Sequence, residues 1–281
     1  MIEGRGTFTR TLRLYLPLAV CLVAMLFPFY WMLITSIKPN SELYSARIMP
    51  LVVYHPTLKH YVDLLTQTNF LTWTYNTMLV AVVTTAVSLV LGTMIAYPLA
   101  RLNFPGAAVV AIGVAATYLV PQPLLFIPMA DIINKLELGN TLSAVMLTYP
   151  TLLIPFCAWL LMGYFKSVPR ELEEAARIDG ASRFQAMWRV VLPLTTPGLL
   201  SAGIFAFTLA QNEFLYALIF LSKSEVRTVP VGAITELIRG DVFYWGQLMA
   251  AALLGSIPVA VIYSFFVDYY VAGLTAGSVK S

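Results

Sequence analysis

Two groups of side chains in this chain of 281 residues have the types and spacing to do chemistry, and a third invites the question. The first is the charged run from Ser167 to Pro193, where Glu171, Glu173, Glu174, Arg177, Asp179, Arg183 and Arg189 follow one another closely. Carboxylates and guanidiniums at that density can form charge-assisted hydrogen bonds. The second is Thr208, Gln211, Asn212, Glu213 and Tyr216, polar groups set in an otherwise apolar stretch, where they could hydrogen-bond a hydroxyl-rich solute. The third is His55 and His60, which lack third and fourth partners for a metal and read as surface histidines. Cys21 and Cys157 sit in apolar runs, where a thiol behaves as a small hydrophobe, and they form neither a disulfide framework nor a metal-ligand pattern.

The elements that must position these groups follow from composition. Hydrophobic residues make up 59% of the chain and charged ones 11%, with mean hydropathy +0.79, against about 25% charged in an ordinary soluble domain. Seventeen basic and 14 acidic residues cannot cover the surface of a soluble domain of this length, so the chain reads as a membrane protein. A formal charge of +3 is too mild for a phosphate-binding surface, which argues against a nucleic-acid partner. Apolar stretches long enough to cross hydrocarbon fall at roughly 14–36, 76–100, 107–130, 142–164, 198–221 and 246–270. The fold class is therefore all-α, a polytopic membrane protein with six transmembrane helices. No histidine lies in any of these spans, which counts against an intramembrane hydrolase. Ile2-Glu3-Gly4-Arg5 reads like a protease-recognition sequence, and nothing is drawn from those four residues alone.

Six spans put both termini on one side. With the termini inside, ten Lys and Arg residues face the cytoplasm and seven face out, and Arg5, Arg10 and Arg13 all precede the first span on the inner side. This orientation makes 1–13 a cytoplasmic segment, 14–270 the membrane domain and 271–281 a cytoplasmic tail, with the loop 165–197 also cytoplasmic. Prolines recur within the spans, and the Pro121-Gln122-Pro123 and Pro128 cluster suits either ordinary kinked packing or a broken helix beside a solute path.

The cytoplasmic loop reads as two short helices joined by a tight corner. Pro169 suits a first helical turn, the three glutamates suit the positive end of the dipole, and Arg177 stands four residues after Glu173. Gly180 can take the left-handed conformation that ends a helix, while Ser182 and Gln185 have the spacing of a capping box. Phe184, Met187, Trp188 and Val191 then recur at helical spacing as one apolar face, and Leu192-Pro193 ends the element.

Glu174-Ala175-Ala176, three residues, Gly180, nine residues, and Val190-Val191-Leu192-Pro193 resemble the EAA motif, E-A-A-x3-G-x9-I-x-L-P, of permease subunits of binding-protein-dependent ABC importers. Val190 stands in place of Ile and keeps a β-branched apolar side chain. Asn212-Glu213-Phe214-Leu215 is similar to the W-N-E-F-L signature of the carbohydrate branch, with Gln211 replacing Trp. Thr57-Leu58-Lys59-His60-Tyr61 and the tail from Val271 to Ser281 resemble the smaller permease of the maltose-transporter type.

This resemblance implies an ABC importer type I permease fold in a bacterial plasma (inner) membrane. It also implies two ATPase subunits, a second homologous permease and an extracytoplasmic solute-binding protein. Glu174, Ala175, Ala176, Gly180, Leu192 and Pro193 would couple to the ATPase, whose subunits would hold the ATP and magnesium; no cofactor belongs to this chain. The chain contains no G-x-x-x-x-G-K-[ST] phosphate loop, which agrees with nucleotide chemistry on other subunits. The solute expected is a sugar, with a disaccharide or oligosaccharide leading. At 100° per residue Thr208, Gln211, Asn212 and Tyr216 form one polar stripe with Glu213 at its edge, available either to the solute path or to a helix interface. A buried Glu213 would also suit half of a proton-coupled secondary transporter, against which the loop pattern weighs.

Overall fold

The computed structural model describes residues 3–45 and 48–276, with side chains described from 13 to 267 of these. In chain order the helices are α1 (Glu3–Ile37), α2 (Asn40–Leu43), α3 (Lys59–Gln67), α4 (Phe70–Arg101), α5 (Ala107–Tyr118), α6 (Gln122–Lys135), α7 (Leu142–Thr148) and α8 (Pro150–Ser167). There follow α9 (Arg170–Ile178), α10 (Arg183–Ala186), a π-helical turn Met187–Val191, α11 (Leu192–Leu194), α12 (Thr196–Asn212), α13 (Leu215–Phe220), α14 (Val229–Leu237) and α15 (Trp245–Ala276). A two-residue hairpin, β1 (Ile238–Arg239) with β2 (Val242–Phe243), is a minor exception to the all-α architecture.

Among the described residues, four stretches are helical, long and apolar enough to cross a membrane: Arg13–Ile37, Phe70–Arg101, Leu142–Ser167 and Trp245–Val267. Two bent pairs bring the total to six if each is one span: α5 with α6, bent by 94°, and the segment Arg183–Leu194 with α12, bent by 77°. The expected third span, 107–130, is thus interrupted at 119–121, where Pro121 takes an extended conformation (ψ 126°) before α6. The expected fifth span, 198–221, is also discontinuous, because α12 stops at Asn212 and α13 starts at Leu215.

The chain forms two compact units, one from the residues up to Phe70 with Ala233–Ile257, the other from Leu71–Gly232 with the residues from Pro258 onward. In the first, the loop after α1 is organised around two buried charged residues. Lys38 donates to the carbonyls of Met49 and Pro50. The Glu42 carboxylate accepts from the backbone N–H of Tyr54 at 3.1 Å and of His55 at 2.8 Å, and pairs with the His55 ring at 2.9 Å. Burial opposes ionisation of Glu42, yet these donors prevail and hold its carboxyl below the ordinary 4.5. His55 is exposed as expected, but His60 is not a surface histidine. Its ring is buried because α3 packs beneath the end of α1, where Nε2 meets the Lys38 carbonyl at 2.7 Å, and Gly246 lies directly against the imidazole.

The second unit is built on close approach of α4, α8 and α12. Gly198 makes one of the tightest contacts: a Cβ there would stand 2.3 Å from Cγ of Tyr164, so only a glycine lets α12 lie on α8. Cys157 is fully buried in this core, and Cys21 is exposed on α1. One end of the unit is tied by Trp73, whose indole donates to the Ser224 carbonyl at 2.9 Å, and by Asn76, whose amide donates to the carbonyls of Glu225 and Arg227. These side-chain donors satisfy carbonyls of the short 3-10 turn Ser224–Val226 and of Arg227 just after it. The other end of α4 carries Arg101, and it is tied to the hairpin described next.

Candidate functional site

The segment 169–195 forms the expected helical hairpin, and its corner is made of two interlocking caps. Helix α9 ends in a Schellman arrangement: Ala181 N–H donates to the Ala176 carbonyl at 3.0 Å and Gly180 N–H to the Arg177 carbonyl at 3.1 Å. That geometry requires the left-handed φ of +91° observed at Gly180, which side-chain-bearing residues rarely adopt. Ser182 then caps α10 by accepting from Gln185 N–H at 3.2 Å, while the Gln185 side chain accepts from Ser182 N–H at 2.8 Å. Both halves of the capping box are present. The corner therefore consists of consecutive residues whose hydrogen bonds fix its direction without help from the rest of the fold.

The single apolar face expected for the second arm divides in two. Met187 and Val191 are buried against α4 and α8, whereas Phe184 and Trp188 are 63% and 56% exposed and pack edge-to-face with ring centroids 6.1 Å apart. The cause is the π-helical turn at Met187–Val191, whose wider winding shifts the phase of residues that a regular helix would align. The arm also continues beyond Leu192-Pro193 to Leu194, and Thr195 makes the 77° corner into α12, with its hydroxyl donating to the Val191 carbonyl at 2.9 Å. Leu192 is buried and Pro193 exposed. On the first arm Glu174, Ala175 and Gly180 are exposed and Ala176 is half-buried, so the E-A-A face is open at the surface.

A clamp at the end of α4 was not legible in the sequence. The Arg101 side chain is 2% exposed; its Nε stands 3.2 Å from Oε2 of Glu173, and its guanidinium donates at 2.8 Å to the Val168 carbonyl. Tyr97, one turn back on α4, donates to the other Glu173 oxygen at 2.6 Å. The carboxylate that the sequence suggests as a helix-dipole partner is thus held by two side chains of a membrane helix, and the hairpin is fastened to α4 at its root. Such a buried pair needs further hydrogen bonds to its charges. The Val168 carbonyl supplies one to Arg101 and the Tyr97 hydroxyl one to Glu173.

Farther along the same unit lies a cleft of about 410 Å³ at the two helix breaks. Tyr118 and Gln122 flank the first break, and Asn212, Glu213 and Phe214 form the second, with Tyr149 also in the wall. Thr208 lines it too, its hydroxyl donating to the Ile204 carbonyl and standing 3.2 Å from the Tyr263 hydroxyl, while the Asn212 amide donates to the Thr208 carbonyl at 2.9 Å. The continuous polar stripe expected from Thr208 to Tyr216 does not form. The backbone leaves the helix at Glu213 (φ −65°, ψ 127°), and the 100° wheel fails there. Thr208, Asn212 and Glu213 reach the cleft, whereas Gln211 is buried elsewhere in the core and Tyr216 is fully buried on α13, packed on Phe220.

Glu213 has a definite structural task. Its two carboxylate oxygens accept from the N–H groups of Tyr216 at 2.9 Å and Ala217 at 3.2 Å, satisfying the open start of α13. In hydrocarbon each unsatisfied N–H would cost several kcal/mol, so this carboxylate is what allows the span to be interrupted without proline or glycine.

Residues 88–275 match the family described as binding-protein-dependent transport system inner membrane component. The chain is 37% identical over 267 residues to the sulfoquinovosyl glycerol transport system permease protein SmoH of Agrobacterium fabrum, covering 95% of this chain and 93% of that one. It is 35% identical to the trehalose/maltose transport system permease protein MalG of Thermococcus litoralis, over 95% and 97% of the two chains. Among solved structures, a chain of a bacterial ABC transporter involved in import of the acidic polysaccharide alginate superposes with a TM-score of 0.77, at 21% identity, over 96% of this chain and 99% of that one. At that identity the superposition speaks for the fold.

Proposed function

The chain belongs to the family of binding-protein-dependent transport system inner membrane components, and on that premise we propose that it forms half of the translocation path of an ATP-driven sugar importer. The other half is a second, homologous permease. Two ATPase subunits bind at the cytoplasmic face, and an extracytoplasmic protein delivers the solute. Both termini are cytoplasmic in this reading, which places the hairpin on the same side as Arg5, Arg10 and Arg13.

The observation that carries the reading is the hairpin: an exposed Glu174-Ala175 face, a corner rigidified by Gly180 and the Ser182–Gln185 box, and a root clamped to α4. A lever needs a stiff arm and a fixed attachment, and this hairpin has both. Closure of an ATPase pair would drag the two hairpins of a permease pair together and rotate the helices attached to them, a rigid-body two-state change. The small side chains of Ala175 and Ala176 leave room for a partner surface, and Glu174 offers it a carboxylate.

The sugar class rests on relatives named for sulfoquinovosyl glycerol and trehalose/maltose, together with the lining of the cleft. Tyr118 and Phe214 offer ring faces, and Gln122, Thr208 and Asn212 offer hydroxyl-matching donors and acceptors. Broken helices at membrane depth are where transporters place solute, since the interrupted backbone is tolerated only beside a cavity or protein. The two breaks and the cleft support that placement for this chain.

The test is uptake by the reconstituted complex. Gly180→Leu forces a side chain into left-handed backbone, and Ala175→Trp fills the docking face. Each is expected to abolish ATP-driven uptake while the protein stays in the membrane at normal level. Normal uptake with the ATPase retained would overturn the proposal.

A further inference from the structure

A second cleft, of about 220 Å³, opens at the root of the hairpin. Its charged lining is Arg101, Arg170, Arg177 and Arg183 with Glu173 and Glu174, four guanidiniums against two carboxylates. One of each is already spent, because Arg101 and Glu173 form the buried clamp. What remains is three guanidiniums facing Glu174. Among the described residues no carboxylate stands within 4.0 Å of Arg170, Arg177 or Arg183, and all three are exposed. Guanidinium cannot shed its charge by deprotonation, so a concave site with this surplus attracts an anion.

The setting selects the kind of anion. Around the cleft the hairpin exposes Leu172, Ile178, Phe184 and Trp188, with Ile178 86% exposed. Aromatic and aliphatic side chains gathered beside arginines are the composition of a protein interface. Glu174, assigned above to ATPase docking, lines the same cleft, so a protein seated on the hairpin would roof it.

We infer that this cleft is the receptor for an aspartate or glutamate side chain projected by the ATPase subunit, with Arg170, Arg177 and Arg183 sharing its carboxylate. The inference rests on the proposed docking of the ATPase at the hairpin. It gives the interface two opposed charge pairs, Glu174 toward a basic group of the partner and the arginines toward an acidic one. Opposed pairs of this kind fix the register of docking, because a sliding partner would bring like charges together.

The experiment uses the intact complex carrying Arg177→Lys or Arg183→Lys, treated with a water-soluble carbodiimide. The reagent activates a carboxylate as an O-acylisourea; the introduced amine attacks that acyl carbon, the urea leaves, and one amide bond forms, with the water removed ending in the urea. Mass spectrometry is expected to find an amide joining the introduced amine to an Asp or Glu of the ATPase, absent at that position in the wild type because guanidinium is not acylated. The double variant Arg177→Glu/Arg183→Glu is expected to retain at least tenfold less ATPase at physiological salt than the wild type.

Links confined to Glu173 or Glu174 of the same chain, with the ATPase still bound, would overturn the inference. So would an anionic phospholipid held by the wild-type complex and lost from the double variant while ATPase retention is unchanged. A cysteine cross-link from Ala175→Cys to the ATPase reports docking separately. If that link forms and the amide does not, the carboxylate receptor is wrong and docking stands; if neither forms, the docking reading itself fails.

Discussion

Removing the guanidinium at the root of the hairpin should loosen the lever without unfolding the membrane core. In Arg101→Met the methionine keeps the volume and leaves the Glu173 carboxylate, 12% exposed, with the Tyr97 hydroxyl as its remaining donor. Breaking a buried ion pair by deleting one partner costs about 3–5 kcal/mol. Glu173 lies near the surface and can rotate toward water, so the lower end, about 3 kcal/mol, applies, equivalent to roughly a hundredfold shift from clamped to open hairpin. Glu173→Gln keeps hydrogen-bond partners for Arg101 and Tyr97 but leaves the 2% exposed Arg101 charge without its counter-ion, so a loss of similar size, about 3 kcal/mol, is expected. The assay is amide hydrogen exchange of the complex in detergent. In Arg101→Met, protection of the α9 amides should fall by about two orders of magnitude while amides of α12 near Gly198 are unchanged. ATP-driven uptake should fall in parallel. Exchange in α9 within threefold of the wild type would refute the clamp.

Three further outcomes follow from individual contacts. Gly198→Val should part α12 from α8 at a cost of about 1–3 kcal/mol, lowering the thermal stability of the purified protein; Tyr164→Ala in the same chain should restore it, and failure to rescue would locate the damage elsewhere. Asn212→Ala should raise the solute concentration needed for half-maximal uptake with the complex intact, whereas Tyr216→Phe, whose ring is fully buried away from the cleft, should leave uptake unchanged; the reverse pattern would remove the cleft from the path. The Glu42 carboxyl is held below its ordinary 4.5, so its contribution to the order of the loop is complete above that value and lost as pH falls through the lower folded one. Amide exchange at Tyr54 and His55, corrected for its intrinsic pH dependence, should thus show the same protection at pH 7 and pH 5 and lose it only below 4.5, while Glu42→Gln should lose it throughout.

The hairpin was legible because its determinants are local. A Schellman closure at Gly180 and a capping box at Ser182–Gln185 involve bonds spanning at most five residues, and residue type at fixed offsets is enough to foresee them. The six apolar stretches were legible for the same kind of reason, since span length follows directly from bilayer thickness. Contacts at long range were not. Tyr97 and Glu173 are 76 residues apart in sequence, and nothing in either neighbourhood announces the other. The break at Glu213 lacks the usual punctuation: no proline or glycine marks it, and the carboxylate that replaces the lost backbone bonds looks in sequence like a solute ligand. Regular helical spacing puts Phe184 and Trp188 on one apolar face with Met187 and Val191, and it does not hold where a π-helical turn occurs. His60 was misplaced because its burial depends on α3 and on Gly246, nearly two hundred residues away, leaving no cavity for a side chain between them.

The central claim is that the hairpin at 169–195 receives a nucleotide-hydrolysing subunit at the cytoplasmic face. A cryo-electron microscopy structure of the complex isolated from native membranes tests it most directly. The account predicts an ATPase domain seated on α9 and the exposed Phe184–Trp188 pair, with Glu174 in contact with it and the Arg101–Glu173 clamp closed. A hairpin facing the outer compartment, or lying uncovered while the ATPase binds another part of the chain, would contradict it.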